Sequence, residues 1–372
     1  MDHRSDPPRA SLASSILVSL ISSLLLSSSA AQATEQACDG SPIRPGALRA
    51  ADAPVPTHPP SGKRPIVIDV SLQITELRDI DVIGSRFAFE GYGDFRWCDP
   101  RAAFDAAAEG QDVRRFFGTS QEAPIWRMDL SVANGVGAMQ VTRRLIEIRA
   151  DGSIRVSGYF NTLVAKPFDL RRFPFDEQAL KIQLESFTYN NELIQLVTSS
   201  DRVSYSPGLF IPEWQIKGIE AHVEPTVSVR DRVPFSRAVV TLHITRQWGF
   251  YVYKLWVPLF LIVVLSWSIF WMSEETFANR IRISITAFLT VVAYQFAIAD
   301  NLPKVAYLTL MDRLMIASFV LIALSAAESL PVVVLRDSNP QRAASLDRIS
   351  RWLFPLGYAG VIVGIAVSYW RV

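Results

Sequence analysis

Four apolar runs crowd the last third of this 372-residue chain, and they restrict its fold more than any other feature. They cover Tyr253–Met272, Ile281–Ala299, Tyr307–Leu335 and Trp352–Trp370. At 1.5 Å of rise per residue, about 20 apolar residues cross the hydrocarbon of a bilayer. The fourth run carries tryptophan at both ends and arginine on both flanks, the residues that anchor a helix at the membrane surface. The spacing therefore predicts four membrane helices, near 251–272, 281–300, 306–335 and 351–370, in a transmembrane domain over 249–372. The loops that fall on the cytoplasmic side carry Arg280, Arg282, Arg336, Arg342 and Arg348, in keeping with the positive-inside rule.

The rest of the chain has a different pattern. Residues 1–33 place Arg4 and Arg9 beside a serine- and leucine-rich apolar run that ends in Ala-Gln-Ala, which reads as a secretory signal. Residues 34–65 are rich in proline and alanine, the composition of a disordered leader. From 66 to 248, short runs such as "IVIDVSLQI", "SIRVSGYFNTLV" and "LKIQLESF" alternate apolar and polar residues between Gly, Pro, Asn and Asp. Period-2 alternation with frequent turns predicts an antiparallel, immunoglobulin-like β-sandwich. One helical piece, "DPRAAFDAAAEGQDVRRFF", is expected to interrupt it. The two cysteines, Cys38 and Cys98, would lie outside the cytoplasm, where a disulfide and two free thiols both remain open. A β-domain outside and four spans place the C-terminus outside as well, in a multi-pass protein of the inner membrane. A net charge of +1 gives no pull toward nucleic acid.

The second run, "NRIRISITAFLTVVAYQFAIADNLPK", keeps many groups that lipid rejects. Steps of three and four residues put Arg282, Thr286, Leu289, Ala293, Phe296 and Asp300 on one helix stripe. A charge at membrane depth is costly unless it meets water or a partner. That stripe is expected to line a water-filled axis, with Leu289 and Phe296 as apolar rings suited to gating by dewetting. A helix inside the bundle whose Arg282 reaches back to the surface is the alternative. Arg282 favours anions and Asp300 favours cations, so the sign of the ion stays open.

Several motifs resemble the pentameric ligand-gated ion channels, the superfamily that includes the Cys-loop receptors. "FDLRRFPFDEQALKIQL" (168–184) is similar to their signature loop, with Lys166 and Leu180 where animal members have the bracketing cysteines. The bacterial members also lack that disulfide. "RWCDPRAAF", "IWRMD", "LTVVAYQF", "NLPK" and "FPLGY" resemble further family stretches, in the same order along the chain. The resemblance implies a homopentamer around a central pore, a small-molecule agonist or protons as the trigger, and inorganic ions as the cargo in a lipid bilayer. It implies a ligand site between subunits, for which Glu185, Phe187, Tyr189 and Phe235 are candidates, with Glu185 supplying charge for a cationic amine. It also implies a coupling role for Asp81, Phe173, Pro174, Phe175, Asp176, Arg246 and Pro303. Asp176 and Arg246 are expected to form a charge-assisted pair joining the loop to the pore.

Catalytic motifs are absent from the sequence: it holds no H-E-x-x-H, G-x-S-x-G, P-loop or zinc-type cysteine spacing, and no cofactor is implied. The reading is a ligand-gated ion channel, not an enzyme. A membrane receptor or solute sensor that conducts nothing is the alternative.

Overall fold

The computed structural model describes residues 37–40, 55–60, 65–118, 123–227, 232–271, 277–299 and 304–370. The signal region, most of the leader, Glu274, Glu275, Asp300 and Pro303 lie outside the described residues.

Among the described residues, eleven strands form two sheets. The larger orders β3 (Val113–Phe117), β5 (Gln140–Arg149), β6 (Ser153–Ala165), β2 (Arg86–Cys98), β1 (Ile66–Asp81) and β8 (Ile194–Val197), with β9 (Val203–Tyr205) also on β1. The smaller orders β10 (Trp214–Val227), β11 (Pro234–Arg246), β7 (Glu177–Ser186) and β4 (Leu130–Val132). Alternation sets which face is buried: Ile66, Ile68, Val70, Leu72 and Ile74 point into the core while their neighbours do not. Phe87, Phe89, Phe95 and Trp97 of β2 join them between the sheets. The expected helical piece is only partly helical. Asp105 caps one short turn at Ala106–Glu109, Gly110 ends it with φ of 65°, and "VRRFF" continues as β3.

The described residues near Cys38 are tied to the sandwich. Cys38 is bonded to Cys98, with Cα atoms 5.7 Å apart, and Cys38 N donates to Asp151 O at 2.8 Å. Next to that disulfide, the "WCDPR" stretch folds around Asp99, which is almost fully buried. Asp99 accepts the Arg101 side chain twice at 2.9 Å and caps the turn that follows.

The four apolar runs are helices: Gly249–Trp271, Phe277–Ile298, Leu310–Ser338 and Pro340–Trp370. The fourth starts at Pro340, well before the expected 351, and only Asn339 separates it from the third. Tyr358 holds it against the bundle, with its hydroxyl 3.0 Å from Ser318 Oγ and its ring at right angles to Trp267. The first helix contains a π turn at Val252–Trp256. The Tyr294 hydroxyl of the second helix donates to Leu255 O of this turn at 2.6 Å.

Candidate functional site: the domain junction and the second helix

Strand register builds the junction. β7 runs antiparallel to β11 with Glu177 opposite Thr245, so Asp176 lands beside Arg246, and Arg246 N donates to Asp176 O at 3.1 Å. Arg246 Nε and Nη2 then reach the two Asp176 carboxylate oxygens at 2.7 and 3.3 Å. Gln178 Nε2 donates to the same carboxylate at 2.9 Å. Both charges are about 98% buried, so their partners decide whether burial is tolerated. Arg246 is well supplied. It also reaches Glu213 at 3.1 Å and the Tyr251 hydroxyl at 3.3 Å, and lies 4.1 Å above the Trp214 ring, its cross-strand neighbour. Tyr251 belongs to the first membrane helix, so one guanidinium ties the signature loop, two strands and the pore domain together.

Phe173 and Pro174 are buried rather than displayed, and Phe173 meets the Tyr251 ring edge-on at 4.8 Å. Phe175 reaches further out, against Trp248 and Trp256. Lys166 stands at the first bracketing position of the loop. Its Nζ donates to Gln178 Oε1 at 3.1 Å and lies over the Phe168 ring. Burial holds this amine below the ordinary lysine range, while the nearby Asp176 and Asp169 pull it back up. Asp81 sits at the turn that closes β1. It caps its own turn at Gly84 N, 2.7 Å, and pairs with Arg86.

The segment after the second helix docks on the same loop. The Tyr307 hydroxyl accepts from Leu170 N at 2.9 Å, and Leu310 N, in the first turn of the third helix, donates to Arg171 O at 3.1 Å. Thr309 and Asp312 close a capping box there. Tyr251, Glu213, Trp214 and Tyr307 were not singled out from sequence. The aromatic run "QWGFYVYKLW" after Arg246 was the available signal.

The second helix has two opposite stripes. Arg280, Ser284, Val291 and Ile298 are buried in the bundle, with Ala287 and Tyr294 half-buried between them. Two residues further on, a rotation of about 200°, lie Arg282, Thr286, Leu289, Ala293 and Phe296, all exposed. Leu289 is 60% and Phe296 78% exposed. Arg280 is held by Asp347 of the fourth helix at 2.9 and 2.7 Å, so it is no loose loop charge.

The candidate ligand residues make contacts within their own subunit. Glu185 sits opposite Arg237 on β11, which holds its carboxylate at 2.8 and 3.0 Å, so it has no charge to spare for an amine. Phe235 is buried in β11. Tyr189 is half-buried with its ring against Trp126 at 5.5 Å, and Phe187 is 60% exposed. Thr188 Oγ1 donates to Asp129 at 2.5 Å, fixing the loop that carries both.

Known proteins resemble this chain in sequence. Residues 55–248 match the neurotransmitter-gated ion-channel ligand binding domain, and residues 255–345 match the neurotransmitter-gated ion-channel transmembrane region. A proton-gated ion channel of Gloeobacter violaceus is 26% identical over 300 residues, spanning 80% of this chain and 82% of its own. A β-sandwich joined through Arg246 to four apolar helices, matched along both parts, leads to one conclusion: this chain belongs to the neurotransmitter-gated ion-channel family and is a multi-pass, ligand-gated ion channel.

Proposed function

We propose that five copies of the chain surround a pore lined by Arg282, Thr286, Leu289, Ala293, Phe296 and Asp300, and that external protons open it. One observation carries the pore: the face of the second helix that the bundle leaves uncovered mixes Arg282, Thr286, Thr290 and Gln295 with apolar rings. Exposed patches on the first and third spans, Phe260, Leu261 and Leu265 and Ile316, Val320 and Leu324, are apolar and suit lipid tails. Polar groups at membrane depth want water, and an axial pore supplies it. The protein would sit in the inner membrane with its β-domain and C-terminus outside and Arg336, Arg342 and Arg348 on the cytoplasmic side. It works by passing ions and not by catalysis.

Protons are the preferred trigger for two reasons. Glu185 is already neutralised by Arg237, and a proton-gated channel is among the relatives. Movement of the β-domain would shift the loop Phe173–Asp176 and the hairpin at Asp81 against the segment containing Pro303. The second helix would tilt and the rings at Leu289 and Phe296 would widen, a shift between closed and open populations. Full-length protein in a planar bilayer should pass current when the outer face is stepped from neutral to mildly acidic solution. A silent bilayer under acid steps, with the protein shown to be inserted, would favour a sensor that does not conduct.

A further inference from the structure

The ion itself can be read from how the charges at the inner end of the second helix are disposed of. This end carries two arginines, Arg280 and Arg282, two residues apart and therefore on opposite faces. Asp347 takes Arg280 out of play: the pair is bidentate, and Arg280 is only 4% exposed. The same contact uses up Asp347, the carboxylate that the fourth helix brings to this level. The third helix contributes Glu328, which accepts from Ser350 Oγ at 2.9 Å and so also faces into the bundle. Arg351 spends its Nε on Phe270 O at 2.6 Å. Arg282 is left as the exposed charge on the open stripe, and from Phe277 to Ile298 the helix contains no acidic residue.

We infer that the permeant ion is an anion, a halide or another small inorganic anion, and that Arg282 is the residue that selects it. The inference rests on the pore proposed above. Five guanidinium groups around one narrow level repel cations and concentrate anions. Thr286 cannot offset them. It donates its hydroxyl proton to Arg282 O at 2.8 Å and offers the pore only oxygen lone pairs, a dipole against a full charge. The next acidic residue past the outer end of the helix is Asp300, and Glu274 and Glu275 precede its inner end; all three lie outside the described residues. Arg282 and Ile298 alone are about 24 Å apart along the helix, about three screening lengths at physiological salt. A carboxylate at that distance shapes the supply of ions at the outer mouth and leaves the choice at Arg282 untouched.

The test is a reversal potential under a potassium chloride gradient, in full-length protein opened by acid and, separately, in a Leu289→Ser background. The reversal should follow the chloride gradient, with chloride favoured over potassium by roughly tenfold or more, and should not move when potassium is replaced by a bulky organic cation. Arg282→Glu should turn the preference toward cations. Wild-type current that follows potassium overturns the inference outright. Chloride preference that survives intact in Arg282→Glu removes Arg282 as the selecting residue. Should that variant fail to assemble, the wild-type reversal still decides the sign of the ion. Absence of current from inserted protein under both conditions instead defeats the pore on which the inference depends.

Discussion

Replacing Asp176 with alanine is expected to destabilise the folded protein by roughly 3–5 kcal/mol and to impair opening. The magnitude follows from what remains behind. Arg246 is about 98% buried, and without Asp176 its charge would rely on Glu213, whose side chain is 61% exposed, and on the Tyr251 hydroxyl. An exposed partner in high dielectric compensates a buried cation poorly. Gln178 would lose an acceptor in the same change. Thermal unfolding of the intact protein in detergent should show a clearly lowered midpoint. Currents, corrected for protein at the membrane, should fall even at saturating acid, because the guanidinium would no longer hold loop and first helix at a fixed distance. Asp176→Asn, which keeps the shape and one acceptor oxygen, should fall between. A midpoint and a maximal current both within error of the wild type would show that the junction does not depend on this pair.

Leu289→Ser is expected to produce the opposite sign of effect on gating. In a closed ring, apolar side chains exclude water from the axis, and opening wets them. Wetting even ~25 Å² of each leucine costs about 0.6 kcal/mol, or about 3 kcal/mol over five copies. That corresponds to a shift on the order of 100-fold in the closed–open equilibrium. Serine removes most of that term, so the variant should open at weaker acid or carry a standing current at neutral pH. The fold should tolerate the change, because Leu289 contributes little to packing within its own subunit. An activation curve that does not move, with no leak, would take the gate away from Leu289 and leave Phe296 as the next ring.

These effects draw on features that differ in how far the sequence discloses them. The spans were legible because lipid imposes a length and a composition that a single sequence must display. The two stripes of the second helix follow from its 3.6-residue period, although which stripe the bundle covers became plain only once Arg280, Ser284 and Val291 were seen packed. Contacts that depend on strand register were much less visible. Glu185 looked like a free carboxylate because nothing in the sequence says that Arg237, 52 residues later, stands opposite it across β7 and β11. Cys38 lies in a proline-rich stretch with no core of its own, yet the turn at Asp151 captures its backbone beside Cys98. "VRRFF" read as helix because the alanine run before it has strong helix propensity, and pairing with β5 overrides that preference. Arg280 and Arg282 look alike in the sequence; the position of Asp347 separates them.

The central claim, that the uncovered stripe of the second helix faces a water-filled pore, is tested most directly by thiol accessibility. Both native cysteines are engaged in the Cys38–Cys98 bond, so a single introduced cysteine reports without competition. A charged, water-soluble thiol reagent applied to the open channel should rapidly alter current through Leu289→Cys, Ala293→Cys and Phe296→Cys. Ser284→Cys and Val291→Cys, on the buried face, should react slowly or not at all. Equal reactivity on both faces, or modification confined to the buried positions, would contradict the account.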